Sequence, residues 1–181
     1  MENQETKVIT GEVRFSYLKV WEPESINDSD PKYSVSILIP KTDTQTIKAI
    51  NKAIEAAKQA GIAKFGGKIP PVMKLPLRDG DQERPDDENY AGCYFVNANC
   101  KNQPGLVYKN GQRIIDSTEL YSGCYGRASI NFYAFNSNGN KGIACGLNNL
   151  MKTRDGDPLG GRSRAEDDFA GCFEDDDDFL G

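Results

Sequence analysis

From Arg127 to Phe135 the sequence alternates without a break. Arg127, Ser129, Asn131, Tyr133 and Phe135 fall on one side, and Ala128, Ile130, Phe132 and Ala134 on the other. Side chains of a strand point alternately to opposite faces, so this stretch predicts a long strand with one apolar face. An apolar face of that length must be covered by another layer or by the far wall of a barrel. The chain is therefore expected to be organised around a sheet.

Other stretches repeat the pattern. VITGEVRFSYLKVW is rich in β-branched and aromatic residues, and KYSVSILIP places Tyr33, Val35, Ile37 and Ile39 at period two until Pro40 ends the run. YAGCYFVNANC, GLVY and GIACGL are further strands, with turns around Asn102 to Gly105, at Asn110-Gly111 and over Asn136 to Gly142. Between the early strands, TDTQTIKAINKAIEAAKQAG carries Ile47, Ile50, Ile54 and Ala57 at helical spacing, a cap at Thr42 or Asp43, and a stop at Gly61. Residues 62–90, with Gly66-Gly67, Pro70-Pro71 and LRDGDQERPDDEN, read as a long excursion without regular structure. The fold class expected is mainly β: a compact barrel of the five-stranded Greek-key OB type, one α-helix after the second strand, and a disordered acidic tail. The organisation expected is a domain over 1–152, a linker over 153–165 and a tail over 166–181.

Charge separates body from tail. Eight of the 27 acids lie between 166 and 181, where there is no base, which leaves 22 bases against 19 acids in the preceding residues, a body of net +3. A mildly basic body joined to an acidic extension suggests an anionic partner. The chain has no histidine, which removes the commonest general base and the Ser-His and Cys-His pairs. Its five cysteines, Cys93, Cys100, Cys124, Cys145 and Cys172, include no C-x-x-C pair and read as small hydrophobes in a reducing cytoplasm, with neither metal nor cofactor expected. No apolar run is long enough to span a bilayer, and MENQETKVIT lacks an export pattern, so a cytoplasmic location is expected. The acids Asp79, Asp81, Glu83, Asp86, Asp87 and Glu88 raise the question of a metal-dependent nuclease, but they sit in a Gly/Pro-containing loop with Arg78 and Arg84, as a solvated loop would. The chain is expected not to be an enzyme.

Three strands carry rings beside cations. Phe15, Tyr17, Lys19 and Trp21 alternate in the first; Phe95, Asn97, Asn99 and Lys101 share one face of a later one; Arg127, Tyr133 and Phe135, with Tyr125, share a face of the longest. The plain alternative is that these rings close one end of the barrel. Single-stranded nucleic acid asks for the mixture: a ring stacks on any base, and Lys or Arg neutralises phosphate. The candidate nucleic-acid contacts are accordingly Phe15, Tyr17, Lys19, Trp21, Phe95, Lys101, Tyr125, Arg127, Tyr133 and Phe135.

With YSGCYGRASINFYAFNSNGNKGIACGLNN and DGDPLGGRSRAEDDF the chain resembles the phage and prophage single-stranded DNA-binding proteins of OB type. Through KYSVSILIPK, the following helix, a GD loop and an acidic C-terminus it is more distantly similar to the helix-destabilising replication protein of podophages. The resemblance implies an OB core that coats single strands during replication or recombination in a bacterial host cell. It also implies a tail, Asp175, Asp176, Asp177, Asp178 and Phe179, that contacts polymerase, helicase or recombination proteins. Phe179 is followed here by Leu180 and Gly181, so the chain lacks the terminal aromatic of the podophage proteins. A homodimer is left open, as is a scaffold for replication or recombination proteins with incidental DNA contact. The tail reads as a phosphate mimic that shields the basic body until DNA displaces it.

Overall fold

The computed structural model describes residues 4–25 and 30–159. The elements run in chain order as a 3-10 turn Gln4–Thr6, β1 Lys7–Ile9, β2 Val13–Glu24, β3 Lys32–Pro40, α1 Thr44–Ala60, β4 Arg78–Asp79, α2 Gly80–Glu83, a 3-10 turn Glu88–Tyr90, β5 Cys93–Cys100, β6 Gly105–Tyr108, β7 Tyr125–Ser137 and β8 Asn140–Arg154. The strands form one sheet in the order β1-β7-β2-β3-β5-β8-β6, and β7 also pairs with β8. That extra pairing closes β2, β3, β5, β8 and β7 into a five-stranded barrel. The β5–β8 contact is parallel, at Asn99 and Gly146, while the other barrel pairs are antiparallel. This is the OB topology, with α1 inserted after its second strand.

The barrel interior follows from the alternation. Val13, Phe15, Val35, Ile37, Ile39, Val96, Ala98, Ala128, Ile130, Phe132, Cys145 and Leu147 are all buried. Helix α1 begins where the Asp43 carboxylate accepts from the Thr46 amide at 3.1 Å. It lays Ile50, Ala53, Ile54 and Ala57 on the core and stops at Gly61, where a Cβ would run into Ala134. The four described cysteines are free thiols. Among the described residues no helix is long and apolar enough to cross a membrane.

The excursion holds more structure than its composition suggests. The Asp79 side chain caps α2 and that of Asp87 caps the turn Glu88–Tyr90. β4 pairs with β5 through Arg78 opposite Phe95. Lys41 fastens the excursion to the end of β3 by ion pairs to Asp79 at 2.9 Å and Asp81 at 2.8 Å. Side-chain caps and ion pairs, rather than an apolar period, hold these short elements, and hydrophobic patterning does not register them. At the other end, β8 runs on to Arg154 and residues 155–159 cross the turn at 121–123, with the Leu159 amide donating to the Ser122 carbonyl at 2.9 Å.

Candidate nucleic-acid interface

In OB barrels the second and third strands carry the binding face, and here these are β3 and β5. One row of ladder partners crosses that face and continues round the barrel. Lys19 pairs with Ser34, Ser34 with Asn99, Asn99 with Gly146, Gly146 with Asn131, and Asn131 with Lys7. One residue along, Val20, Val35, Ala98, Cys145, Ile130 and Val8 are all buried. By the two-residue period the row itself faces outward. Apart from Gly146, which has no side chain, it is polar, holds no carboxylate, and has a lysine at each end.

The first stripe divides at a bulge. Tyr17 adopts φ 47°, in the left-handed region that an aromatic residue rarely takes, and the β2–β3 register breaks between Ser16 and Lys19. The Leu18 amide donates to Ser122 Oγ at 2.8 Å and holds the kink. Phe15 precedes the bulge and faces the interior, fully buried, so the expectation that it stacks on a base is corrected: its ring is core. Tyr17, at the bulge, is 54% exposed. Lys19 and Trp21 follow it, out of phase with Phe15. Lys19 pairs with Glu24 at the surface. Trp21 is half-buried, and its indole Nε1 donates to the Leu120 carbonyl at 3.0 Å.

Phe95 is a second correction. It shares the outer face with Asn97 and Asn99, but the excursion folds back over it. The Tyr90 ring stands edge-on at 5.1 Å, the Arg78 and Arg84 guanidiniums lie 5.0 and 5.9 Å from the ring, and Leu38 and Leu159 complete a small outer cluster. Phe95 is fully buried and offers no ring to a base. Asn97, two residues on, is exposed, and Lys101 is exposed just past the strand.

On β7 the expected faces are those observed, with Ala128, Ile130, Phe132 and Ala134 buried. Arg127 is exposed and donates from Nε to the Thr10 carbonyl at 2.8 Å. The Tyr125 ring is taken by cations of the chain itself, Arg154 at 3.8 Å and Arg14 at 5.2 Å from its centroid. Phe135 is half-buried against Gly142, where a Cβ would lie 2.9 Å from the ring. Tyr133 is 41% exposed, and partial burial raises its phenol above its ordinary value. The tail residues Asp175, Asp176, Asp177, Asp178 and Phe179 lie outside the described residues.

The row from Lys19 to Lys7 was only partly visible in the sequence. Asn97 and Asn99 stand on the expected face, but Ser34, Gly146 and Lys7 join it through pairings between strands far apart in the chain. A local sign is Gly146, a side-chain gap in β8.

Comparison with known proteins agrees with this fold. A protein of Acyrthosiphon pisum secondary endosymbiont phage 1, called p50, is 31% identical over 166 residues, covering 86% of this chain and 87% of its own. Among solved structures, the single-stranded DNA-binding protein of bacteriophage Enc34 in complex with ssDNA is similar with a TM-score of 0.78 at 24% identity, covering 87% of this chain and 91% of that one. The single-stranded DNA-binding protein gp2.5 of bacteriophage T7 shares the fold at TM-score 0.61 and 17% identity, over 94% of this chain and 96% of its own. The family described as Enterobacter phage Enc34, ssDNA-binding protein, matches residues 6–180, and the chain belongs to that family.

Proposed function

We propose that this chain binds single-stranded DNA across the outer face of β2, β3 and β5, as a binding protein rather than an enzyme. The observation that carries the reading is the carboxylate-free row Lys19, Ser34, Asn99 with Asn97 beside it and the exposed Tyr17 ring at its β2 end. Tyr17 stacks on a base, Lys19 exchanges its exposed Glu24 partner for a phosphate, and the amides bond sugars or base edges. A ring stacks on any base and phosphates are common to every sequence, so binding is expected to tolerate sequence. The similar Enc34 protein has been solved in complex with ssDNA, which supports DNA binding by this fold. Coating of this kind serves phage replication or recombination.

The acidic segment 166–181 regulates binding as an intramolecular phosphate mimic, and Phe179 with Asp175–Asp178 recruits replication or recombination proteins. The support is placement. Residues 155–159 are tied to the body by Arg14, which donates to the Asp157 carbonyl at 2.7 Å, and Leu159 packs on Leu38, Tyr90 and Phe95. The described chain thus ends on the β3–β5 face, beside the proposed DNA path.

Titration of labelled single- and double-stranded oligonucleotides across a salt series tests the function. Single strands are expected to win, with log K falling by about 0.7 per neutralised phosphate per log unit of salt. Equal affinity for duplex, or affinity indifferent to salt, overturns the reading.

A further inference from the structure

The outer row does not end at β5. At the parallel β5–β8 junction its residue is Gly146, flanked on the same face of β8 by Ala144. A Cβ built on Gly146 would lie 3.5 Å from Cε1 of Tyr133. The tyrosine ring therefore reaches over a part of the sheet that carries no side chain. Beyond it opens a cleft of about 590 Å³ between α1 and β7, within the roughly 300–1,000 Å³ of small-molecule sites.

The chemistry of that cleft is one-sided. Lys7 and Lys64 stand at its walls, Asn131 and Asn149 line it beside Tyr133, and among the described residues no Asp or Glu does. The carbonyl of Asn131 accepts from Thr6 Oγ1 at 2.9 Å, and that of Asn149 from the Gly105 amide at 3.0 Å. Among the described residues neither NH₂ group has an acceptor, so both face a ligand as donors. Two ammonium groups, two amide donors and one neutral exposed ring suit a ligand with anionic oxygens, carbonyl acceptors and a flat π-face. A nucleotide has all three.

Lys7 and Asn131, which line this cleft, are the last two members of the row that begins at Lys19. At about 4.8 Å per strand step, the row is about 24 Å long as it winds round the barrel. We propose that bound single-stranded DNA passes from the β3–β5 face over Gly146 into the α1–β7 cleft, where Tyr133 stacks on a base and Lys7 and Lys64 hold its phosphates. Gly146 is the saddle that lets the backbone cross. This extension rests on the DNA-binding reading above and adds a second segment to its path.

The experiment measures affinity of the full chain for oligo-dT of increasing length, from about 4 to about 16 nucleotides, the span of known OB sites. Wild type is expected to gain affinity in a second step once the oligonucleotide is long enough to reach the cleft. Tyr133→Ala is expected to lose that step, roughly 5- to 150-fold on the longest oligonucleotide, and to leave the shortest unchanged. Tyr133→Phe keeps the ring and is expected to keep the step. Gly146→Val raises a side chain on the saddle and is expected to lose the step with Tyr133 intact. Thermal melting of each variant checks the fold. Undiminished affinity of folded Tyr133→Ala and Gly146→Val for the longest oligonucleotide overturns the extension and leaves the first reading standing. An equal loss at every length also overturns it as a second segment. Failure of wild type to bind any single strand overturns the underlying reading instead.

Discussion

The ring of Phe15 lies against the backbone of Gly126: a Cβ on that glycine would stand 2.8 Å from the ring's Cε2. The glycine is the space the aromatic needs where β2 meets β7. Phe15→Ala opens a cavity in a closed barrel and is expected to cost about 3–5 kcal/mol. A Cβ on Gly126 would also run into the Met151 carbonyl oxygen of β8, so Gly126→Ala must move backbone as well as ring and is expected to cost more than the roughly 1–3 kcal/mol of ordinary overpacking. Urea unfolding measures both as a lower midpoint at unchanged slope. Oligonucleotide affinity per folded molecule is expected to stay at the wild-type value in both, because neither residue reaches the surface.

The ion pairs at Lys41 give the chain an acid-sensitive clamp. The ammonium hydrogen bonds to Asp79 and Asp81 and holds both carboxyls below their ordinary 3.8, helped at Asp81 by the Gly92 amide and at Asp79 by the Asp81 amide. A carboxyl whose folded pKa is depressed stabilises the fold above its unfolded pKa. The contribution disappears as pH falls through the folded value. Wild type is therefore expected to lose stability below pH 3.8 as these carboxylates protonate, and Lys41→Met is expected to lose part of that acid limb. Urea midpoints taken from about pH 6 down to about pH 2 check this. In the variant the excursion loosens over Phe95, and limited proteolysis near Arg84 is expected to speed up.

Strand β7 was legible because alternation is a local property: every residue from Arg127 to Phe135 faces the way its position in the period requires. Helix α1 was legible for the same reason, down to its Asp43 cap. Phe15 and Tyr17 look like members of one face in the sequence. A bulge shifts the phase between Phe15 and Lys19, and bulges depend on the partner strand and on Ser122 more than a hundred residues away. Phe95 lies on the expected face yet is sealed by Tyr90, a covering set by Lys41 and two aspartates rather than by any apolar pattern. The binding row escaped for a different reason. It runs across strands, and its members meet only once the barrel closes.

Removing residues 166–181 is expected to tighten binding to a single-stranded oligonucleotide at low salt. The eight acids of that segment are tethered to a body of net +3, at an effective concentration in the millimolar range. The advantage is expected to shrink as salt rises, since the Debye length falls from about 30 Å at 0.01 M to about 8 Å at 0.15 M. Fluorescence anisotropy of full-length and truncated chains across that range reads the difference. Equal affinities at low salt would leave the tail no part in binding.

Tyr17 separates folding from binding by the sign of its effects. Its backbone sits at φ 47°, which costs an ordinary residue about 1–2 kcal/mol and a glycine almost nothing. Tyr17→Gly relieves that strain, while the greater freedom of glycine in the unfolded chain returns about 0.5–1 kcal/mol. The net expectation is a variant as stable as wild type or more stable by about 1 kcal/mol. Its exposed ring is the stacking surface at the β2 end of the row, so the same substitution is expected to weaken oligonucleotide binding by about 1–3 kcal/mol. Tyr17→Ala loses the ring and keeps the strain, and is expected to weaken binding equally without the gain in stability. Thermal melts and oligo-dT titrations of the two variants resolve the two roles. A glycine variant that binds as well as wild type would remove Tyr17 from the DNA path, whatever its effect on stability.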